Sequence, residues 1–256
     1  MRRTMRRGTL DPLRLQHDNA GSCSLTESAA FLRPASPATA SRLLAVETAA
    51  VTIGAIATVR LLHMGHATEF QWFLIPCVLV IAALAPAWIA KRDFPPVGFH
   101  ADQIRLALTT VLLTCLAILP VVCLGLWLLA SLGLPIPLRP VLAERQDWAS
   151  WLLYQFLYVA AAEEVFFRGY VQANATRWLG KSRLSQPAQW WIAIGISAAC
   201  FALAHVVVQG QIISALTFLP GLLTAWLFAR TGSLLAPLLF HGLANVSYGI
   251  MAATFA

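Results

Sequence analysis

The sequence predicts an all-α fold, a polytopic membrane bundle of about seven transmembrane helices. Three observations carry that expectation. Of the 256 residues, 59% are hydrophobic and only 11% charged, where soluble domains carry about 25% charged residues. Mean hydropathy is +0.70. The apolar residues gather into runs near the ~20 residues that one membrane span requires. The net charge of +7 does not point to nucleic acid, because beyond the N-terminal tail the basic residues are scattered between apolar runs. The implied partner is the lipid bilayer.

Taken in order, residues 1–40 read as a basic, Ser/Ala/Pro-rich tail with Arg2, Arg3, Arg6, Arg7, Arg14 and Arg33 and no long apolar run. Such a segment cannot bury enough apolar surface to fold, and is expected to be disordered and cytoplasmic. Its paired arginines are better explained as a positive-inside anchor than as an export signal, since the first apolar run begins far downstream. Met5 is an alternative first residue. The helices are expected at roughly 42–62, 70–90, 104–133, 148–175, 188–208, 211–230 and 233–254. Residues 41–147 thus hold the N-terminal spans and 148–256 a second set. Pro120 predicts a kink or break in the third helix. Loops are expected at 91–103, at 134–147 around Pro135, Pro137 and Pro140, and at 179–187.

Orientation follows from the lysines and arginines. With the N-terminus inside, fourteen fall on the cytoplasmic side and three (Arg60, Arg139, Arg145) outside, as the positive-inside rule requires. The expected location is the cell inner (cytoplasmic) membrane, multi-pass, with the N-terminus cytoplasmic. Cys23, Cys77, Cys115, Cys123 and Cys200 show no C-x-x-C spacing. Four of them sit in apolar runs, where free cysteine behaves as a small hydrophobe. Neither a disulfide framework nor a cysteine metal site is suggested.

One stretch departs from this apolar background: Ala161-Ala162-Glu163-Glu164-Val165-Phe166-Phe167-Arg168-Gly169-Tyr170. From Trp148 onward, Glu163 and Glu164 are the only acidic residues. Ionisable groups inside an apolar helix are costly, and mark a functional site whose partners must be named. Glu164 and Arg168 are four apart, so they share a helix face and can pair. Glu163 lies about 100° round the helix, free to point elsewhere. A purely structural Arg–Glu clamp between helices is the competing reading.

Two further pairs follow. Phe201 and His205 are one turn apart near the end of the fifth helix, and His241 and Asn245 one turn apart on the seventh. Counting at 1.5 Å per residue puts Glu163 roughly 20 Å and His205 roughly 25 Å from the cytoplasmic side, at similar depth. His241 lies closer to the cytoplasm. A Glu with a His can deprotonate and orient a water for attack on a carbonyl. Asn and a second His can donate to the oxyanion that develops. The constellation suits peptide hydrolysis without a Ser or Cys nucleophile.

Glu163-Glu164-x-x-x-Arg168, Phe201-x-x-x-His205 and His241-x-x-x-Asn245, in this order on successive apolar helices, resemble the three motifs of the CAAX-protease and bacteriocin-processing (CPBP, or Abi) family, which includes the type II CAAX prenyl endopeptidases. The resemblance covers about residues 148–250. It implies an intramembrane glutamic-type endopeptidase acting on a peptide or protein substrate at the membrane. By the same resemblance Glu163 is the general base and His205 its partner in holding water, while His241 and Asn245 form the oxyanion site. Glu164 and Arg168 support the architecture and Phe201 packs beneath the site. A water-filled cavity open to the cytoplasm or the bilayer is then required.

Bacterial members of the family resemble processors of peptides, bacteriocins or C-terminal sorting signals, or confer self-immunity. No cofactor is expected, with zinc held by the same Glu and His residues as the rival; the H-E-x-x-H helix of zinc proteases is absent. Ser233 reads as a cap on the seventh helix rather than a nucleophile. A non-catalytic scaffold or small transporter is the rival outside enzymes, although the repeats of transporters are not visible. No residue pattern sets an oligomeric state.

Overall fold

A computed structural model of the protein describes residues 37–64, 69–97, 101–134 and 148–255, and among them helix is the only regular structure. The chain forms α1 (Pro37–Met64), α2 (Glu69–Ile89) and α3 (Ala101–Ser131). A long rod follows over 148–179, here α4, then α5 (Gln186–Gln209). A short 3₁₀ turn, Ile212–Thr217, leads into α6 (Phe218–Thr231), and α7 (Leu235–Phe255) ends the chain. By length and composition α1, α3, α5, α6 with its lead-in and α7 can each cross a membrane, and α2 carries the shorter apolar segment Phe73–Ile89. The architecture is a polytopic helical membrane bundle, as the composition predicts.

Local chemistry sets the ends. Pro187 stands in the first turn of α5, where its missing N–H costs nothing. Gly210 (φ 68°) and Gly232 (φ 69°) close α5 and α6 in the left-handed conformation that glycine adopts without strain. Pro120 lies inside α3 without breaking it. One lost backbone bond does not end a helix whose other bonds have no competing water. Residues 37–40 of the expected tail already belong to α1, while 1–36 and the 135–147 part of the third-to-fourth connection lie outside the described residues. Ser233 does not cap α7: its hydroxyl makes no hydrogen bond. Leu234 is instead the first residue to accept a helical bond, from Leu238, while its own N–H is held by Pro96 O at 3.1 Å.

The rod α4 is the axis of the bundle. Its α-helical turns Trp148–Leu153, Ala161–Glu164 and Ala173–Leu179 alternate with two wider π-helical stretches, Tyr154–Ala160 and Val165–Gln172. The Ala161 N–H reaches back five residues to Phe156 O, and the Ala173 N–H to Arg168 O. Packed against it are α2, α5 and α7, while α3 lies outside against α7 and α6. Every residue from Phe166 to Gln172 is buried, so no face of α4 is left for lipid there.

The two ends of the bundle differ. At the end where α2 and α4 finish and α1, α3, α5 and α7 begin, the segment 91–97 is strapped across the helices. Arg92 pairs with Glu47 of α1, whose Oε1 also accepts from the Tyr170 hydroxyl at 3.0 Å. Arg177 donates to Asp93 O. Phe94 packs so closely on Gly169 that a Cβ there would fall 2.4 Å from its ring. At the opposite end, Arg60 Nη1 donates to Val208 O at 2.8 Å, satisfying a carbonyl in the last turn of α5.

Candidate active site

The four-residue spacing of Glu164 and Arg168 survives the change of helix type at Val165. Arg168 Nη1 donates to Glu164 Oε1 at 3.0 Å, and both side chains are fully buried. A buried pair is secure only when its remaining groups find partners, and here α6 supplies them. Arg168 Nη2 donates to Gly221 O at 3.0 Å and to the Thr224 hydroxyl. The guanidinium carbon also lies 4.7 Å from the centre of the Phe201 ring, a cation–π arrangement.

Glu164 has a second partner on α7. The His241 Nδ1–H donates to the same Oε1 at 2.7 Å. The other ring nitrogen, Nε2, lies 3.7 Å from Glu163 Oε2, beyond hydrogen-bond length. Arg168, Glu164, His241 and Glu163 therefore stand in one chain, fully buried at the arginine and reaching partial exposure at Glu163, whose side chain is 18% exposed. Glu163 Oε2 is itself buried and makes no hydrogen bond.

Phe201 joins this chain to the other histidine. Its ring centre is 4.4 Å from that of His205 and 5.7 Å from that of His241, the latter edge-on at 81°. The His205 Nδ1–H donates to the Phe201 carbonyl at 2.9 Å, which leaves the Nε2 lone pair as the acceptor of the neutral ring. Glu163 and His205 line the same cavity, about 280 Å³ in volume, between α1, α2, α4 and α5. That volume accommodates several waters or part of a peptide.

Six of the seven residues singled out in the sequence thus come together: Glu163, Glu164, Arg168, Phe201, His205 and His241. Asn245 is placed differently. Its Nδ2 donates to Gln155 Oε1 at 3.0 Å, one turn beyond His241, and it does not line the cavity. Sequence reasoning missed Gln155, Gly221 and Thr224. The signals were faint: a single polar side chain in an apolar run, and small residues three apart on α6 of the kind that let membrane helices approach. It also missed Gly242, beside His241, where a Cβ would fall 2.3 Å from Phe156 of α4.

The cavity is displaced toward one end of the bundle. It runs from Glu163 and Phe167 toward His63, near the end of α1, and Gln209, the last residue of α5. On the other side buried Phe166, Phe167, Tyr170, Val171 and Phe201 close it. It therefore lies in the half of the bundle away from the basic strap at 91–97. No three His, Cys, Asp or Glu side chains converge at metal-ligand spacing among the described residues.

No curated protein and no solved structure matches the chain. A family model does, described as type II CAAX prenyl endopeptidase Rce1-like, over residues 145–247. The matched segment holds α4, α5, α6 and most of α7, with every residue of the cluster just described. Residues 145–247 are thus similar to the type II CAAX prenyl endopeptidase Rce1-like family.

Proposed function

We propose that this protein is an intramembrane endopeptidase that hydrolyses a peptide bond of a membrane-associated peptide or protein, with Glu163 as the base that activates water. One observation carries the reading. Glu163 lines a cavity that it shares with His205, and its Oε2 is buried without a hydrogen bond, 3.7 Å from His241 Nε2. A water held between the Glu163 carboxylate and His205 Nε2 gives a proton to Glu163 as its oxygen attacks the scissile carbonyl carbon. The carbonyl oxygen takes up the electron pair, and the donors proposed for it are His241 Nε2, once that nitrogen carries a proton, and the second Nδ2 hydrogen of Asn245, the one not given to Gln155. Collapse of the adduct breaks the C–N bond, and the proton on Glu163 passes to the departing amine.

The supporting residues act at one remove. Arg168 and Glu164 hold His241 from behind, and His241 in turn faces Glu163. Phe201 fixes the spacing of the two imidazoles. The similarity of residues 145–247 to the Rce1-like family supports a peptidase, and the substrate that it implies is a membrane-associated peptide or protein.

The test is cleavage of a membrane-peptide library by the purified protein in detergent. Wild type is compared with Glu163→Gln, each with and without a chelator. Loss of a factor of about 10²–10⁴ in Glu163→Gln, with the chelator without effect, is the expected result. Undiminished cleavage by Glu163→Gln removes that residue from the mechanism. Loss on chelation that zinc restores moves the assignment to a metalloenzyme.

A further inference from the structure

The direction from which substrate reaches the cavity is written in the charge of the two bundle ends. Among the described residues, Arg42, Lys91, Arg92, Arg105, Arg177, Lys181, Arg183 and Arg230 all lie at or near the strap end, and Arg60 alone at the other. In short-looped membrane proteins such a bias places the basic end in the cytoplasm. The cavity lies in the other half. His205 stands four residues, about 6 Å, from the end of α5 remote from the strap. Glu163 is about 20 Å along α4 from the same end. Toward the strap the path is filled by the buried aromatic layer of Phe166, Phe167, Tyr170 and Phe201, backed by Phe94 on Gly169.

From these relations we infer that the cavity opens at the non-cytoplasmic face, and that substrate reaches Glu163 from that side. The inference rests on the peptidase reading for what the cavity does, and on geometry and charge for where it opens. It also defines the substrate class. The scissile bond belongs to a polypeptide segment at the non-cytoplasmic membrane surface. The walls beside Glu163 are Ile56, Val59, Leu79, Val159 and Phe167, so apolar side chains flank that bond. Cleavage releases its water-soluble product outside the cell membrane, and a cytoplasmic C-terminal peptide is not a substrate.

Thiol accessibility tests this without relying on cleavage. In the full chain with its five cysteines replaced by serine, Ala204→Cys reports on the cavity wall, Val208→Cys is a second probe of the same wall, and Lys181→Cys marks the strap end. Each variant is treated with a membrane-impermeant maleimide in right-side-out and in inverted membrane vesicles. Modification of both cavity cysteines in right-side-out vesicles, with Lys181→Cys modified only in inverted ones, is the expected result. Modification of the cavity cysteines only in inverted vesicles overturns the inference. So does modification of all three from one side, or of neither cavity position from either side. Failure of the peptidase reading would appear separately, as cleavage that survives Glu163→Gln.

Discussion

His241 and Glu164, 77 residues apart in sequence, meet through a 2.7 Å hydrogen bond from Nδ1–H to a carboxylate oxygen that also accepts from Arg168. The two glutamates, adjacent in sequence, consequently have different surroundings. Glu164 is fully buried and doubly paired, whereas Glu163 is partly exposed and faces a cavity. Substituting them should therefore produce different defects.

Glu164→Gln keeps the shape but removes the charge that Arg168 and His241 share. It is expected to lower thermal stability in detergent by about 3–5 kcal/mol, the usual consequence of leaving one buried charge uncompensated. Glu163→Gln is expected to stay within about 1 kcal/mol of wild type, as a group without a hydrogen bond to lose. Equal destabilisation by the two would contradict the division of roles.

Arg168→Lys retains charge but not the planar fork that reaches Glu164 and α6 together. The Thr224 hydroxyl then loses the arginine donor and Gly221 O keeps only its 3.1 Å bond from Thr224, and a loss of about 1–3 kcal/mol follows for the broken buried contacts. Thermal unfolding of purified Arg168→Lys measures it; wild-type stability would show that the α6 contacts contribute little.

Phe201→Ala empties the space between the two imidazoles. A cost of about 3–5 kcal/mol is expected for a buried phenylalanine. Cleavage should fall further than for an equally destabilising core substitution away from the site, such as Leu179→Ala in the small buried cluster with Ala175 and Ala193. The comparison of kcat between these two variants at matched folded fraction tests whether Phe201 positions the histidines.

Gly242→Ala sets a Cβ against the Phe156 ring, where the distance would be 2.3 Å. Overpacking of this kind costs about 1–3 kcal/mol. Phe156→Ala should recover much of it in the double variant, because the two residues touch. Additive losses in a double-mutant cycle would mean that the contact is not the cause.

Gln155→Leu removes the acceptor that holds the Asn245 carboxamide. If Asn245 donates to the developing oxyanion, Asn245→Ala should lower kcat by about 10²–10³. Gln155→Leu, acting only through Asn245, should lower kcat less and leave KM unchanged. An unchanged kcat in both variants would remove the pair from catalysis.

Much of this was legible in the sequence because a membrane simplifies the reading. Apolar runs of spanning length announce helices directly, and a few polar residues within them stand out as they never would in a soluble domain. Glu163, Glu164, Arg168, His205 and His241 could be named on that ground, and Phe201 by its one-turn spacing from His205. Four-residue spacing was enough to predict the Glu164–Arg168 pair, since an i,i+4 contact is local.

What the sequence could not determine depended on contacts between helices far apart in the chain. The π-helical stretches of α4 have no local signature, because they arise where packing on several sides is better served by a wider turn. Pro120 reads as a break in isolation, yet α3 continues through it. The binding of Asn245 to Gln155 rather than into the cavity needs the approach of α7 to α4 that Gly242 permits. The opening of the cavity away from the strap end follows from where the aromatic layer fills the bundle. Composition and spacing thus determined which residues are present and which face of a helix they share. Only the tertiary structure decided which of them meet, because that choice depends on packing between helices and not on the propensity of any one of them.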